Sequence, residues 1–265
     1  MPMLSDIVKV VRSGVFHVVY LDATQKRIGS GTAFTAKGLL VTNGHVFDVP
    51  RATEGIWLRQ DGHRDPATEG VYLRRTDFEA RRIVASPSSE YDYAALDIPE
   101  LRQFNPHQFQ IADHSGRMVG EHVAFLGYPL EHQNLTCHAG IVASFYRRQQ
   151  VDIVQIDASV NPSNSGGPLF DPLTGIVFGI VTRKATGLTD MFTSLREAVN
   201  ANISTMSLMQ GGILIDGISL KDALITGQNQ ILATLEQIER SSNVGIGYAF
   251  SCKHILEERE FSNRI

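Results

Sequence analysis

Up to about Val181 the chain is a succession of short apolar or alternating runs, each closed by Gly, Pro, Asp or Ser. VFHVVYLD, GTAFTA, GLLVTNG, GIWLRQ, EGVYLRR, EARRIVA and AALDI fill the first part, and HVAFLGY, LTCHAGIVASFY, VDIVQID and GIVFGIVT continue it. Many short strands with few helical patterns leave a sheet sandwich or a barrel as the architecture. PHQFQI, near Pro106, reads as the link between two halves.

The pattern breaks between Thr186 and Asn243. TDMFTSLREAVNANISTMSLMQ carries Met191, Leu195, Val199 and Ile203 at helical spacing. GGILIDGIS reads as a turn with a short extended piece. In the following helix Ser219 precedes Asp222 by three residues, close to a capping box. Leu220, Leu224, Ile231, Leu235 and Ile238 lie near one face of that helix, and Gly227 weakens its middle.

Composition narrows the functional classes. Hydrophobic residues are 43% and charged residues 20% of 265, which is globular rather than disordered. A net charge of −4 gives no electrostatic reason to expect nucleic acid or an anionic membrane. No apolar run reaches a spanning length, so no membrane partner is expected. The N-terminal residues lack a signal-peptide layout. Cys137 and Cys252 are the only cysteines, so no disulfide framework is indicated. Together these set a cytoplasmic location as the default expectation.

The chemistry concentrates in NPSNSGGPLFDP. Ser165 sits among small residues that let backbone N–H groups and a carbonyl approach its hydroxyl. A serine hydroxyl is a weak nucleophile and needs a base and a group to orient that base. His45 in LLVTNGHVF and Asp92 in EYDYAALDI are the candidates, with Asp97 as a rival. Ser165 and His45 each have a plainer reading, a turn serine and a capping or turn histidine. His17 and His122 sit inside strand patterns and read as core-edge residues. His132, Cys137 and His138 have no zinc spacing, so neither metal nor other cofactor is assigned.

The order His, Asp, Ser and five segments around it resemble trypsin-like serine proteases of the HtrA/Deg type. GSGTAFTAKGLLVTNGHVF is similar to the His motif, YDYAALDI to the Asp motif and IDASVNPSNSGGPLF to the Ser motif. FLGYPLEHQNLTCHAGIVAS and NVGIGYAFS resemble the segment before the Ser strand and the closing strand. The resemblance covers about three quarters of the chain.

It implies an all-β, chymotrypsin-like fold of two antiparallel barrels with a helical insertion in the second. Residues 1–105 would form the first barrel, 106–185 with 244–256 the second, 186–243 the insertion and 257–265 a tail. It implies a serine endopeptidase acting on protein or peptide substrates, with Ser165 as nucleophile, His45 as base and Asp92, at the start of its strand, as orienting acid. The backbone N–H groups of Ser163 and Ser165 would form the oxyanion hole. Ser159, Thr182, Arg183 and Lys184 would line the specificity pocket.

Two departures matter. Position 163 is usually glycine in this family, so a serine there is expected to strain the loop or to leave the hole unformed. That keeps a pseudo-protease or a latent, partner-activated module as the alternative. Asn164, unlike the aspartate of digestive trypsins, carries no charge to pair with a freed N-terminus. The residues after the closing strand, KHILEEREFSNRI, are expected to form a tail rather than a PDZ domain. The insertion offers a surface for a regulatory partner or for self-association.

Overall fold

The computed structural model describes residues 3–61, 70–129, 133–182, 188–209, 214–215, 218–241 and 245–264. It divides into two units, Met1–Arg183 with Gly245–Ile265, and Lys184–Val244.

In the first unit a helix, α1 (Leu4–Val11), leads into β1 (Val15–Leu21), β2 (Arg27–Ala36) and β3 (Leu39–Thr42). A single helical turn, α2 (Gly44–Phe47), follows. Then come β4 (Gly55–Arg59), β5 (Val71–Arg74), α3 (Arg75–Ala80), β6 (Arg82–Ser86) and β7 (Tyr93–Leu96). These strands form one antiparallel sheet in the order β5-β4-β1-β2-β3-β7-β6. Alternation of side chains along β1 sends Phe16, Val18 and Tyr20 into a core with Leu40, Ile56, Leu58 and Phe78. Val19, Leu21 and Trp57 cluster on the opposite face.

The second half holds β8 (His122–Gly127), β9 (Thr136–Arg148), β10 (Val151–Asp157), β11 (Pro168–Phe170), β12 (Val177–Thr182) and, after the second unit, β15 (Gly247–Ser251). They close into a barrel, β10-β15-β12-β11-β8-β9, around Val123, Phe125, Val154, Ile156, Leu169 and Phe178. The all-β expectation therefore holds, with one refinement. The second half is a closed barrel, whereas the first is a curled sheet whose edge strands β5 and β6 do not pair among the described residues. Part of the EARRIVA run is helical: Glu79 and Ala80 end α3, and β6 begins at Arg82.

A further core joins the two halves. Phe34, Val41, Tyr93 and Ala95 of the sheet pack with Leu126, Tyr128, Phe170 and Ile180 of the barrel side. Cys252, Ile255 and Phe261 join the same core. They belong to the chain end, which forms two short helices, α6 (Lys253–Glu257) and α7 (Arg259–Ser262).

In the second unit α4 (Leu188–Leu208) and α5 (Leu220–Ser241) pack on each other, joined through the two-residue strands β13 (Leu214–Ile215) and β14 (Ile218–Ser219). The Ser219 hydroxyl accepts the Asp222 N–H at 3.3 Å, as the capping pattern predicts. The apolar faces differ from expectation. Among the described α4 side chains Phe192 and Val199 are buried and Ile203 and Met206 partly covered, while Leu195 is exposed; the Met191 side chain lies outside those described. On α5, Leu235 is buried and Ile225 and Leu232 are partly covered; Leu220, Leu224, Ile231 and Ile238 are exposed. The helix has two apolar stripes, and periodicity alone selects the solvent-facing one. Among the described residues no helix is long and apolar enough to cross a membrane.

Candidate active site

His45 stands on α2, directly after β3. Its Nδ1 lies 2.8 Å from Asp92 Oδ2, and its backbone N–H donates to Asp92 Oδ1 at 2.9 Å. One carboxylate thus fixes both the ring and the main chain of the histidine. Asp92 is fully buried, and the Asn43 amide donates to its carbonyl at 3.0 Å. Its φ of 51° is a left-handed conformation that Asp tolerates better than most residues. With Nδ1–H donating to the carboxylate, the Nε2 lone pair is the one available to a substrate or nucleophile. The imidazole remains about one-third exposed. Gly44 is required by close approach: a Cβ there would lie 2.3 Å from the Ser86 carbonyl.

Asp97, the rival acid, is elsewhere. β7 separates the two, and Asp97 pairs with Arg264 at 3.0 Å and lies 3.8 Å from Arg102. The structure brings Asp92 to His45 and takes Asp97 to the chain end.

Ser165, 6% exposed, lies in the loop between β10 and β11. Two first-half side chains that sequence reasoning did not pick out, Ser30 and Thr32, fasten this loop to the sheet, and Thr42 braces Thr32. Thr32 N–H donates to the Ser165 carbonyl at 2.8 Å, and Thr42 Oγ1 donates to the Thr32 carbonyl at 2.7 Å. Gly166, with φ 89°, fits against both threonines; a Cβ would lie 1.9 Å from the Thr32 carbonyl oxygen. Since Thr42 is three residues before His45, this contact sets the serine loop beside the histidine turn. The docking of the barrel loop on the sheet creates the arrangement, and no local motif announces it.

Ser163 takes up the backbone conformation that a glycine would supply, φ 71°. For an L-residue this costs about 1–2 kcal/mol. Two hydrogen bonds oppose the cost. Thr32 Oγ1 donates to the Ser163 carbonyl at 2.7 Å, and Ser30 Oγ donates to Ser163 Oγ at 2.8 Å. Asn164 is fully buried against Gly127, and its side-chain amide has no hydrogen-bond partner among the described residues. A charged aspartate in that place would be far costlier.

Of the residues expected to line the pocket, Ser159 Oγ accepts the Gly245 N–H at 2.9 Å, and Thr182 pairs with Tyr248 on β15. Both therefore border the start of β15. Arg183 and Lys184 lie outside the described residues, as does His132. His17 is fully buried and stacks on Tyr128, whereas His122 is exposed.

The model of the trypsin-like peptidase domain matches residues 29–180, more than half of the chain, from the strand bearing Ser30 through the Ser165 loop to β12. The chain belongs to the trypsin-like peptidase domain family. A probable periplasmic serine endoprotease, DegP-like, from Bartonella henselae is 35% identical over 158 residues, covering 58% of this chain and 27% of that protein. Serine protease HTRA4 of Mus musculus is 34% identical over 166 residues, 60% of this chain and 30% of its own length. An uncharacterized protein, y4bJ, of Sinorhizobium fredii is 29% identical across 85% of this chain and 32% of its own length. The chain thus spans less than a third of these curated relatives. Among solved structures, the HtrA-type protease AlgW with a tripeptide shares the fold at TM-score 0.57 and 20% identity, covering 97% of this chain and 62% of that one.

These likenesses correct the location expected from the sequence. Several DegP-like relatives of this peptidase domain are named periplasmic, which overturns a cytoplasmic assignment. Net charge and the number of cysteines do not encode a compartment; both cysteines here are free, Cys137 exposed and Cys252 buried.

Proposed function

We propose that this peptidase domain is a serine endopeptidase that cleaves peptide bonds through an acyl-enzyme. His45 takes the Ser165 proton as the hydroxyl attacks the carbonyl, and returns it to the leaving amine. Asp92 keeps the proton on His45 Nδ1 and stabilises the imidazolium. The N–H groups of Ser163 and Ser165 receive the oxyanion. No cofactor enters these steps. Ser159 and Thr182 are assigned to the substrate pocket, with Arg183 and Lys184 along its wall.

The observation that carries this reading is the doubly anchored pair, His45 Nδ1 to Asp92 Oδ2 at 2.8 Å and His45 N–H to Asp92 Oδ1 at 2.9 Å, on a fully buried carboxylate. A turn histidine with a structural role needs no such orientation. By likeness to its relatives we place the activity in the periplasm, on protein or peptide substrates. The exposed α5 stripe of Leu220, Leu224, Ile231 and Ile238 supplies the surface for a second copy or a regulatory partner.

Cleavage of a denatured protein substrate by the wild type and by Ser165→Ala tests the assignment. The alanine chain should remain folded and lose turnover by about a millionfold, the scale seen for a subtilisin nucleophile. Undiminished cleavage would remove Ser165 from the mechanism.

A further inference from the structure

Asp92 keeps its left-handed φ of 51° while fully buried, and the chain end holds both of its neighbours. On one side the Tyr91 ring stacks on the buried His254 of α6, with centroids 3.9 Å apart and planes 25° from parallel. Tyr91 also packs against Val151 and Ile153 of β10 and Phe250 of β15. On the other side the hydroxyl of Tyr93, the first residue of β7, donates to Glu258 Oε1. Burial and the Glu258 carboxylate keep that phenol protonated by raising its pKa. Glu258 joins α6 to α7. Its N–H donates to the Ile255 carbonyl at 3.3 Å, and its carbonyl accepts the Ser262 N–H at 2.8 Å. Ile255 and Phe261 are buried in the same core as Tyr93. Lys37 Nζ, from the turn between β2 and β3, donates to the Ser262 and Arg264 carbonyls, each at 2.9 Å. The chain end is fixed, and Tyr91 and Tyr93 are fixed against it.

Burial of Ile255 and Phe261 accounts for the docking of the two helices. It does not account for a carboxylate set against a buried phenol. Such a contact adds little net stability over an apolar pair of the same volume, but it fixes direction. A left-handed residue other than glycine persists only where its surroundings over-determine it. We propose that α6 and α7 splint the acid of the triad: His254 and Glu258 are positioning residues that keep Asp92 in its left-handed conformation through Tyr91 and Tyr93. They act through these neighbours and not on the reacting atoms. The hydrogen bonds between His45 and Asp92 come from the sheet, and the splint restrains the backbone that carries the carboxylate. The Arg264–Asp97 pair beyond the other end of β7 is partly exposed and contributes little. The hold on Asp92 stands independently of the catalytic assignment; its effect on turnover rests on the triad proposed above.

The His45 backbone N–H donates to Asp92 Oδ1, so its hydrogen exchange reads the hold directly. Exchange is followed by NMR in the full chain, with the amide of the buried Val154 as the internal reference, beside kcat and KM on one peptide substrate. In Glu258→Ala, His254→Ala and Tyr93→Phe the His45 amide should exchange about tenfold faster relative to Val154. In the same variants kcat should fall about tenfold, with KM nearly unchanged, because the acid is misplaced and substrate binding is not. Glu258→Gln keeps an acceptor and His254→Phe keeps the stacked ring, so both should recover most of each loss. Combining Tyr93→Phe with Glu258→Ala should do no more than either alone. An unchanged exchange ratio in all the variants would overturn the splint, as would equal losses in the alanine and the conservative variants. Faster exchange of both amides together would also overturn it, since that is general destabilisation. Selective exchange at His45 in a chain whose turnover survives Asp92→Asn would keep the splint and remove Asp92 from the catalytic steps.

Discussion

The two halves of the proposed active site are held by different means. The acid–base half is built within one sheet: His45 follows β3, Asp92 precedes β7, and these two strands pair directly, Thr42 opposite Ala94. Its geometry comes from a short, local set of contacts. The nucleophile half belongs to a barrel loop, yet Thr32 and Ser30 of the other sheet fasten it. One half is therefore set by strand register, and the other by the docking of two sheets. Substitutions in the first should act on catalysis alone, and those in the second on catalysis and seam together.

The largest effect should come from the first half. Asp92→Asn should lower turnover by about 10⁴, as tautomer control is lost, whereas Asp97→Asn should leave turnover nearly unchanged. Asp97 is partly exposed in its pair with Arg264, so its loss should cost no more than about 1 kcal/mol of stability. Steady-state kinetics beside thermal unfolding decide; the reverse ranking would exchange the roles of the two acids.

That choice shows what the sequence could and could not reveal. Asp92 and Asp97 flank the same apolar run, so position relative to β7 had to be supplied by a resemblance. The structure separates them through their partners, His45 and Arg264. The barrel strands were readable because alternation and turn residues mark them. Ser30, Thr32 and Thr42 were not, since Ser and Thr are ordinary on half-buried strands and only the docked sheets give them work. On α5 two apolar stripes compete, and no local rule says which one α4 covers.

A smaller effect is expected at the fastening. Thr32→Val keeps the shape and removes the hydroxyl that holds the Ser163 carbonyl. Turnover should drop by about 10-fold to 100-fold, below the 10²–10³ expected for outright loss of an oxyanion donor. Stability should fall by about 1–3 kcal/mol, because a buried acceptor loses its donor. A drop in turnover with unchanged melting would make Thr32 part of the acid–base half instead.

Ser163→Gly should do less still. Relief of the positive φ and loss of the Ser30 bond are each worth about 1 kcal/mol and oppose one another. Melting should shift little, and turnover should stay within about threefold, as glycine supplies the same backbone shape. A rise in turnover of tenfold or more would mean that Ser163 restrains the site.

The smallest effect on catalysis belongs to the second unit. A Cβ at Gly227 would meet nothing within 4 Å, so Gly227→Ala should stabilise α5 by about 1 kcal/mol and leave cleavage kinetics unchanged. Thermal unfolding and kcat/KM check both halves of that statement.

The most direct test of the central claim is the site and rate of covalent labelling by a fluorophosphonate. Intact mass and peptide mapping should place a single adduct on Ser165 in the wild type and in Asp97→Asn at similar rates. Labelling should be far slower in Asp92→Asn and absent in Ser165→Ala. An adduct on another residue, or slower labelling of Asp97→Asn than of Asp92→Asn, would contradict the triad of Ser165, His45 and Asp92.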